Sequence, residues 1–434
     1  MATIKKQIMK ILYLGILMTL LLGCSSDRST ATENNGENNF NCNANNGLYP
    51  EAFLNISSLE DVETFLENPY KEFYELRVSN LDNLSFLSCV EKVECLYISN
   101  CGTSDLSSLS NLLEVSNLFI SNMPSLINLN GLNNLSSVNY LEIRNNSSLI
   151  NFVGLNGVGW IEYMSVTDNE SLMNLEGLDN LNTLGVLKIE DNSSIQNLEG
   201  LNNVETVNFD GSFTNCNGTP IGLRWEISNN SNLSSISAIN NISGDLSNYY
   251  LEINSCQNLT DLGSFDNLLK LGNFWISGCP ITSLNCFPSL TETGYLTVWD
   301  CDNLEYMNFP ALQKLSYLNI KENNLLNNIS FNSLVEISGG GNGDFSAKIE
   351  GNDSLSTLAG LDNLEYNEKI IWINIFYQDF ENPLLNVCAL RKLYLNQIMN
   401  GVNENQIHFN TMCWGNAGFP YSNISDFDSI CDCN

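Results

Sequence analysis

The stretch "YLEIRNNSSL", Tyr140 to Leu149, decides the fold because the chain writes it repeatedly. "VLKIEDNSSI" stands at Val186 to Ile195, "RWEISNNSNL" starts at Arg224 and "YLEINSCQNL" at Tyr250. In each phrase two apolar residues lie two apart, as Leu141 and Ile143 do. They point to one face of a short strand, and Tyr140, Glu142 and Arg144 point to the other. The constant letters are therefore inward and the changing ones outward. Aligned on the first inward residue, the phrases start at Leu76, Leu96, Leu118, Leu141, Met164, Leu187, Trp225, Leu251, Phe274, Leu296, Leu318 and Ala347, most of them 20 to 23 residues apart. "IIWINIF" reads as a degenerate further copy, and the long step before Trp225 holds an insertion around "GSFTNCNGTPIG". A fixed period of this size marks a solenoid, in which each coil buries its apolar side against its neighbours. Trp225 takes the place of a strand Leu and is expected in the core.

A second signature follows the strands: "LNGLNNL" at Leu129, "LEGLDNL" at Leu175, "LEGLNNV" at Leu198 and "LAGLDNL" at Leu358. Its apolar residues close the far side of the coil, and its Gly suits a tight bend or a close approach of coils. The short gaps leave room for turns rather than regular helices. Asn146, Asn169, Asn192, Asn230 and Asn352 fall three residues after the second inward residue, and Cys101, Cys256, Cys279 and Cys301 occupy the same phase. A buried Asn there can satisfy loop backbone of its own and adjacent coils.

Asn or Cys at this point resembles the leucine-rich repeat pattern L-x-L-x-x-N/C, although the next Leu comes three residues on rather than two. The combination most resembles the receptor L-domain group, the short β-helix of insulin- and EGF-receptor ectodomains, with related repeats in fungal cell-wall proteins and in surface lipoproteins of Bacteroidetes-type bacteria. The resemblance covers roughly Leu76 to Leu364. It implies an all-β solenoid, a right-handed single-stranded β-helix of about 12–13 L-domain or leucine-rich coils with short capping helices at both ends. It implies no shared catalytic motif, and no ligand-binding residue of the receptors has a matching motif here.

The first residues stand apart from the repeat. Lys5, Lys6 and Lys10 precede the apolar run "ILYLGILMTLLLG", too short for a comfortable membrane span. Leu21-Leu22-Gly23-Cys24 resembles a bacterial lipobox, which implies cleavage before Cys24 and its lipidation, with membrane anchoring by several acyl chains. Ser25 behind the Cys resembles outer-membrane sorting, and a close acidic residue resembles surface export. The expected organisation is a signal peptide over 1–23, a flexible tether over 24–47, an N-terminal cap over 48–75, the solenoid over 76–380 and a Cys-containing C-terminal cap over 381–434. The 434-residue chain has 17 Lys+Arg against 49 Asp+Glu, and its formal charge of −32 becomes −35 once the three signal-peptide lysines are removed. Such a surface repels nucleic acid and anionic head groups. A solvated surface kept soluble by repulsion is the plain reading.

"SSLEDVETFLEN", Ser57 to Asn68, offers Ser57 and Glu60 as a capping box for a short helix. Leu390, Leu393, Leu395 and Ile398, followed by Gly401, suggest a second helix at the far end. "NPLLNVCAL" resembles the closing segment of the bacterial members, which implies that Cys388 pairs with a later Cys; Cys413 is the expected partner. Of the 14 cysteines, Cys89 and Cys286 sit where other units place Gly and read as small core residues. Cys42, Cys95, Cys216, Cys431 and Cys433 stay open between thiols and disulfides. The spacing of Cys413, Cys431 and Cys433 does not fit common zinc sites, so no metal or cofactor is expected.

Catalysis finds little support. His408 is the only histidine, lies in the expected cap, and has no nucleophile elbow beside it. Glu142, Glu190, Glu226 and Glu252 lie on separate coils near Arg144, Lys188 and Arg224, which reads as cross-strand charge pairing. "GGGNGD", Gly339 to Asp344, lacks the Lys-Ser/Thr of a phosphate loop. The outward face is more informative. Tyr140, Tyr163, Tyr250, Tyr295 and Tyr317 precede the first inward residue, a row suited to stiffening the sheet. Tyr97, Phe119 and Trp275 lie between the inward pair, and Trp299 follows it. Exposed aromatics of this kind mark binding surfaces, with Trp275 and Trp299 on adjacent coils the leading candidates. The expected function is a non-catalytic, lipid-anchored recognition or adhesion protein of the outer membrane, facing the cell surface or the periplasm, that binds a protein or glycan. The alternatives are a self-assembling envelope scaffold and, behind it, a carbohydrate-active enzyme on a β-helix.

Overall fold

The computed structural model describes residues 45–209, 216, 222–339, 347–356, 361, 363–364, 372–374 and 408–410. The expected signal peptide, Cys24, most of the tether, the C-terminal helix, and Cys388 with Cys413 lie outside the described residues. So do Cys42, Cys431, Cys433 and most of "GGGNGD".

The repeat closes into a β-solenoid of leucine-rich coils. Its main sheet is 17-stranded and parallel throughout. The strands begin with β1 (Asn45–Leu48), β2 (Leu54–Ile56), β3 (Tyr70–Ser79), β4 (Lys92–Ser99) and β5 (Glu114–Ser121). They continue with β6 (Ser137–Arg144), β7 (Trp160–Thr167), β8 (Thr183–Glu190), β9 (Arg224–Ser228), β10 (Gly244–Asn254) and β11 (Leu268–Ser277). A second, three-stranded sheet of β12 (Ser283–Leu284), β14 (Tyr306–Asn308) and β16 (Asn328–Ser330) alternates with β13 (Glu292–Trp299) and β15 (Lys314–Lys321) of the first. β17 (Glu336–Ile337), β18 (Ala347–Glu350), β19 (Trp372–Asn374) and β20 (His408–Asn410) complete the order. Equivalent residues align strand to strand: Leu118 pairs with Leu141, Leu141 with Met164, and Met164 with Leu187. Their side chains stack into one core in which Leu141, Ile143, Met164 and Leu187 are fully buried. Aromatic rings fill it further along, where Phe265, Phe287, Phe309 and Phe331 stack at centroid distances of 5.1, 6.0 and 5.5 Å.

Two backbone devices turn the chain out of each strand. The residue after the strand adopts a left-handed conformation, as in Asn145 (φ 54°), Asp168 (57°) and Asp191 (56°), a region that Asn and Asp tolerate better than other side chains. The next residue points in and carries the buried ladder. Asn169 accepts the backbone N–H of Asn146 at 3.0 Å, and its amide donates to the carbonyls of Ile143 and Thr167 at 3.0 and 2.9 Å. Asn192 and Asn230 repeat the pattern on the next coils. Asn323 does so too, accepting from the Cys301 N–H at 3.0 Å; it is a further member of the ladder, in phase with the expected ones. Where Cys replaces Asn, the thiol donates to the carbonyl two residues back, at 3.2 Å for Cys101 and 3.3 Å for Cys279. Burial holds the Cys301 thiol at a pKa of about 12, so it stays protonated.

Apart from the second sheet, the rest of the coil is made, among the described residues, of turns and three short 3₁₀ segments, including Ser85–Cys89 and Ser107–Leu109. Its glycines serve both expected purposes. Gly154 has φ +122°, and a Cβ there would lie 2.0 Å from the Leu129 carbonyl oxygen of the preceding coil. At the N-terminus, α1 (Leu59–Glu67) is capped by Ser58, not Ser57, with Asp61 in the reciprocal role: Ser58 accepts from the Asp61 N–H, and Asp61 accepts from the Ser57 N–H. Both members of the expected Ser57–Glu60 box thus lie one residue before the pair that forms, Ser58 and Asp61. The sheet also begins before Leu76, because β1 and β2 both pair with β3 and form a first, interrupted coil.

Candidate functional site

The outward face of the main sheet has three columns, set by register. The first runs Cys95, Asn117, Tyr140, Tyr163 and Val186 over β4–β8, then Arg224, Tyr250, Asn273, Tyr295 and Tyr317 over β9–β15. The second includes Tyr97 and Phe119, then Glu252, Trp275, Thr297 and Asn319. The third includes Asn254, Ser277, Trp299, Lys321 and Glu350.

The two halves of this face differ. Over β4–β8 much of it is closed: Cys95, Asn117, Phe119, Tyr140 and Val186 are all buried, Tyr97 and Tyr163 are half-buried, and Arg144 stays exposed. Phe119 is therefore not an exposed ligand contact, since only 6% of it meets solvent. Tyr97 and Phe119 stack face to face at 4.3 Å, Phe119 meets Tyr140 at 5.1 Å, and Tyr140 stacks on Tyr163 at 4.5 Å. The Arg77 guanidinium covers Tyr97 at 4.7 Å, and burial raises the Tyr97 phenol above its ordinary pKa. These rings are committed to one another. A disulfide joins Cys95 on β4 to Cys216 in the insertion that follows Phe209. It places Cys216 on the outward side, several strands back from β9, where its own coil resumes. Cys89 is also disulfide-bonded, which corrects its reading as a free core residue, whereas Cys286 is free and buried.

Over β10, β11, β13 and β15 the face is open. Tyr250, Trp275, Tyr295 and Trp299 expose 45, 42, 40 and 39% of their surface. The tyrosine row thus has two fates. Tyr140 and Tyr163 stiffen the sheet, while Tyr250 and Tyr295 present their rings to solvent. Sequence could not separate them, because both sets occupy the same phase of the repeat. Trp225, by contrast, is core, and its indole donates to the Gly185 carbonyl at 2.8 Å.

Polar neighbours hold Trp299 and surround the other rings with paired charges. The Trp299 indole donates to Glu322 at 2.8 Å, the Lys321 ammonium sits 5.2 Å over its ring, and Lys321 pairs with Glu322 at 3.0 Å. The bond from Trp299, before the lysine charge, holds the Glu322 carboxyl below its ordinary pKa. Beside Trp275 runs a hydrogen-bonded rail. Ser277 donates to Asn254 at 2.7 Å, Asn254 donates to Glu252 at 2.7 Å, and Glu252 meets Arg224 at 3.2 Å. Lys188 pairs with Glu190 and Arg224 with Glu226, whereas Arg144 turns to Asp168 and Glu142 accepts from Tyr140. A shallow apolar cleft lined by Val207, Leu246, Tyr249 and Leu271 adjoins Tyr250. Among the described residues, no three His, Cys, Asp or Glu side chains are placed to hold a metal ion. The His408 side chain lies outside the described residues.

No family model matches the sequence, and neither does any curated protein. Among solved structures, an internalin from Listeria monocytogenes aligns over 81% of this chain and 82% of its own, at 14% identity and a TM-score of 0.31. That is a distant likeness, and no residue of the face is carried over from it.

Proposed function

We propose that this leucine-rich solenoid is a non-catalytic recognition protein of the receptor L-domain kind, held by a lipid on Cys24 to the outer membrane and directed to the cell surface. It binds a protein or glycan ligand through the outward face of β10, β11, β13 and β15. One observation carries this reading: four large rings stay about two-fifths exposed on one regular face, while the rings of the same columns on β5 and β6 are buried. Clustered exposed aromatics on a stable scaffold are the usual mark of an interaction surface. The lipid anchor is supported by Leu21-Leu22-Gly23-Cys24 and the lysines before it.

Two measurements test the parts separately. Protease shaving of intact cells is expected to release a solenoid fragment without lysis; cleavage only after permeabilisation would place the protein inside. For binding, the full-length protein is applied to an array of extracellular proteins, neutral glycans and acidic glycans. Signal on some spots is expected, reduced roughly tenfold or more by joint Trp275→Ala and Trp299→Ala substitution. Silence on every spot, or signal indifferent to both substitutions, would sink the assignment.

A further inference from the structure

We infer that the ligand of this face is a neutral polysaccharide chain lying across β10, β11, β13 and β15. The inference rests on the reading of the face as a recognition surface, and it adds the chemical class of what is recognised.

The first argument is the chemistry of the exposed groups. Tyr250, Trp275, Tyr295 and Trp299 offer flat π-surfaces, and the one exposed aliphatic side chain described on these strands, Leu269, stands at the far end of β11 from Trp275. A protein partner is usually met by an apolar patch whose centre excludes water. Here Asn273, Ser277 and Asn254 stand among the rings, and only Tyr295 meets a further ring, Tyr317, edge-on at 5.6 Å, so hydrogen-bonding groups lie next to the apolar surfaces. A pyranose ring has the matching character, with C–H bonds on its faces and hydroxyls around its edge. The C–H face meets the negative face of an aromatic ring, and the hydroxyls need both donors and acceptors.

Preorganisation is the second argument. The Arg224–Glu252–Asn254–Ser277 rail fixes its own rotamers through bonds of 3.2, 2.7 and 2.7 Å. It retains lone pairs on Glu252 and on the Ser277 oxygen for the hydroxyls of a ligand. Trp299 is fixed in the same way by Glu322, at 2.8 Å. Groups already held in place lose little entropy when they bind, which suits a ligand that offers many weak contacts.

Repetition and charge complete the case. Strands stand about 4.8 Å apart, so the rings recur one or two strand steps apart along the solenoid axis, and a linear repeating ligand can meet several in succession. The cations of this region are engaged: Lys270 with Asp245 and Glu292, Lys314 with Glu336, and Lys321 with Glu322. With a formal chain charge of −32 behind it, the face has no surplus cation to offer a polyanion.

The test is native electrophoresis of the full-length protein through gels cast with a galactomannan, a mannan or a mixed-linkage β-glucan, and through gels cast with alginate. Retardation is expected in at least one neutral gel and not in alginate. Trp275→Ala is expected to weaken it roughly tenfold or more, and Trp275→Tyr, which keeps a ring, to preserve most of it. Equal thermal unfolding of the variants separates loss of binding from loss of fold. No retardation by any neutral polysaccharide, retardation by alginate alone, or retardation unchanged in Trp275→Ala would each overturn the inference. If protein spots on the array bind through Trp275 while every neutral gel is silent, the polysaccharide inference fails and the recognition reading stands. If the array is silent as well, both fail.

Discussion

Replacing Asn169 with Ala is expected to cost about 3–5 kcal/mol of stability, because several buried groups lose their partner together. Asn169 is fully buried. It accepts from both the backbone and the side-chain amide of Asn146, at 3.0 and 3.2 Å, and donates to the carbonyls of Ile143 and Thr167. Each buried polar group left unpaired carries a penalty of about 1–3 kcal/mol. The chain itself points to a milder substitution. On the coils that end in Cys256, Cys279 and Cys301 a thiol occupies this position and donates to the carbonyl two residues back. Asn169→Cys should therefore cost less than Asn169→Ala, since one carbonyl keeps a donor. Denaturant unfolding of the three proteins checks the ranking. Equal midpoints for wild type and Asn169→Ala would mean that the ladder does not hold the coils.

The second large effect is expected from Gly154→Ala. The added methyl would sit 2.0 Å from the Leu129 carbonyl oxygen and 2.1 Å from its carbon, at a φ of +122° that L side chains rarely adopt. The obstacle is backbone, which cannot rotate aside. The neighbouring bond from the Leu129 N–H to the Val153 carbonyl, 2.8 Å long, ties the same two coils together. Relief therefore requires the coils to part, and the cost should reach about 4 kcal/mol or more. Gly222→Ala is the matched control: nothing lies within 4 Å of its added Cβ, and the unfolding midpoint should hardly move. A Gly154→Ala protein as stable as the Gly222→Ala protein would contradict the close packing described for this side.

These two effects fall where the sequence was most readable. Leu141 and Ile143 announce a strand by their spacing, and Asn146 and Gly154 recur at fixed distances from them, so local pattern and coil geometry agree. The left-handed column was equally visible, in Asn145, Asp168 and Asp191 just before the ladder residues, but its meaning lies in a backbone angle that no side-chain periodicity reports. Asn323 was hidden by its neighbour Asn324, which blurs the phase of "LNIKENN". The state of the outward face was not readable. Tyr140 and Tyr250 hold the same position in the same phrase, yet one is buried and the other open. What separates them is their neighbours on other coils: Tyr140 is stacked between Phe119 and Tyr163, whereas Tyr250 has Arg224 and Asn273 beside it in the same column. The pairing of Cys216 with Cys95 across a sequence separation of 121 residues was likewise not readable, because nothing around either cysteine marks the other as its partner. Phe119 differs from its expected exposure for the same reason, because the rings of Tyr97 and Tyr140 stack against it.

The outward face buries its rings on β5 and β6 and exposes them on β10, β11 and β13. Hydroxyl-radical footprinting of the full-length protein, read by mass spectrometry, tests it residue by residue. Tyr250, Trp275, Tyr295 and Trp299 are expected to oxidise rapidly, and Phe119, Tyr140 and Trp225 to be protected in the same sample. Protection of Trp275 and Trp299, or oxidation of Phe119 and Tyr140 at the rate of Tyr250, would contradict the account.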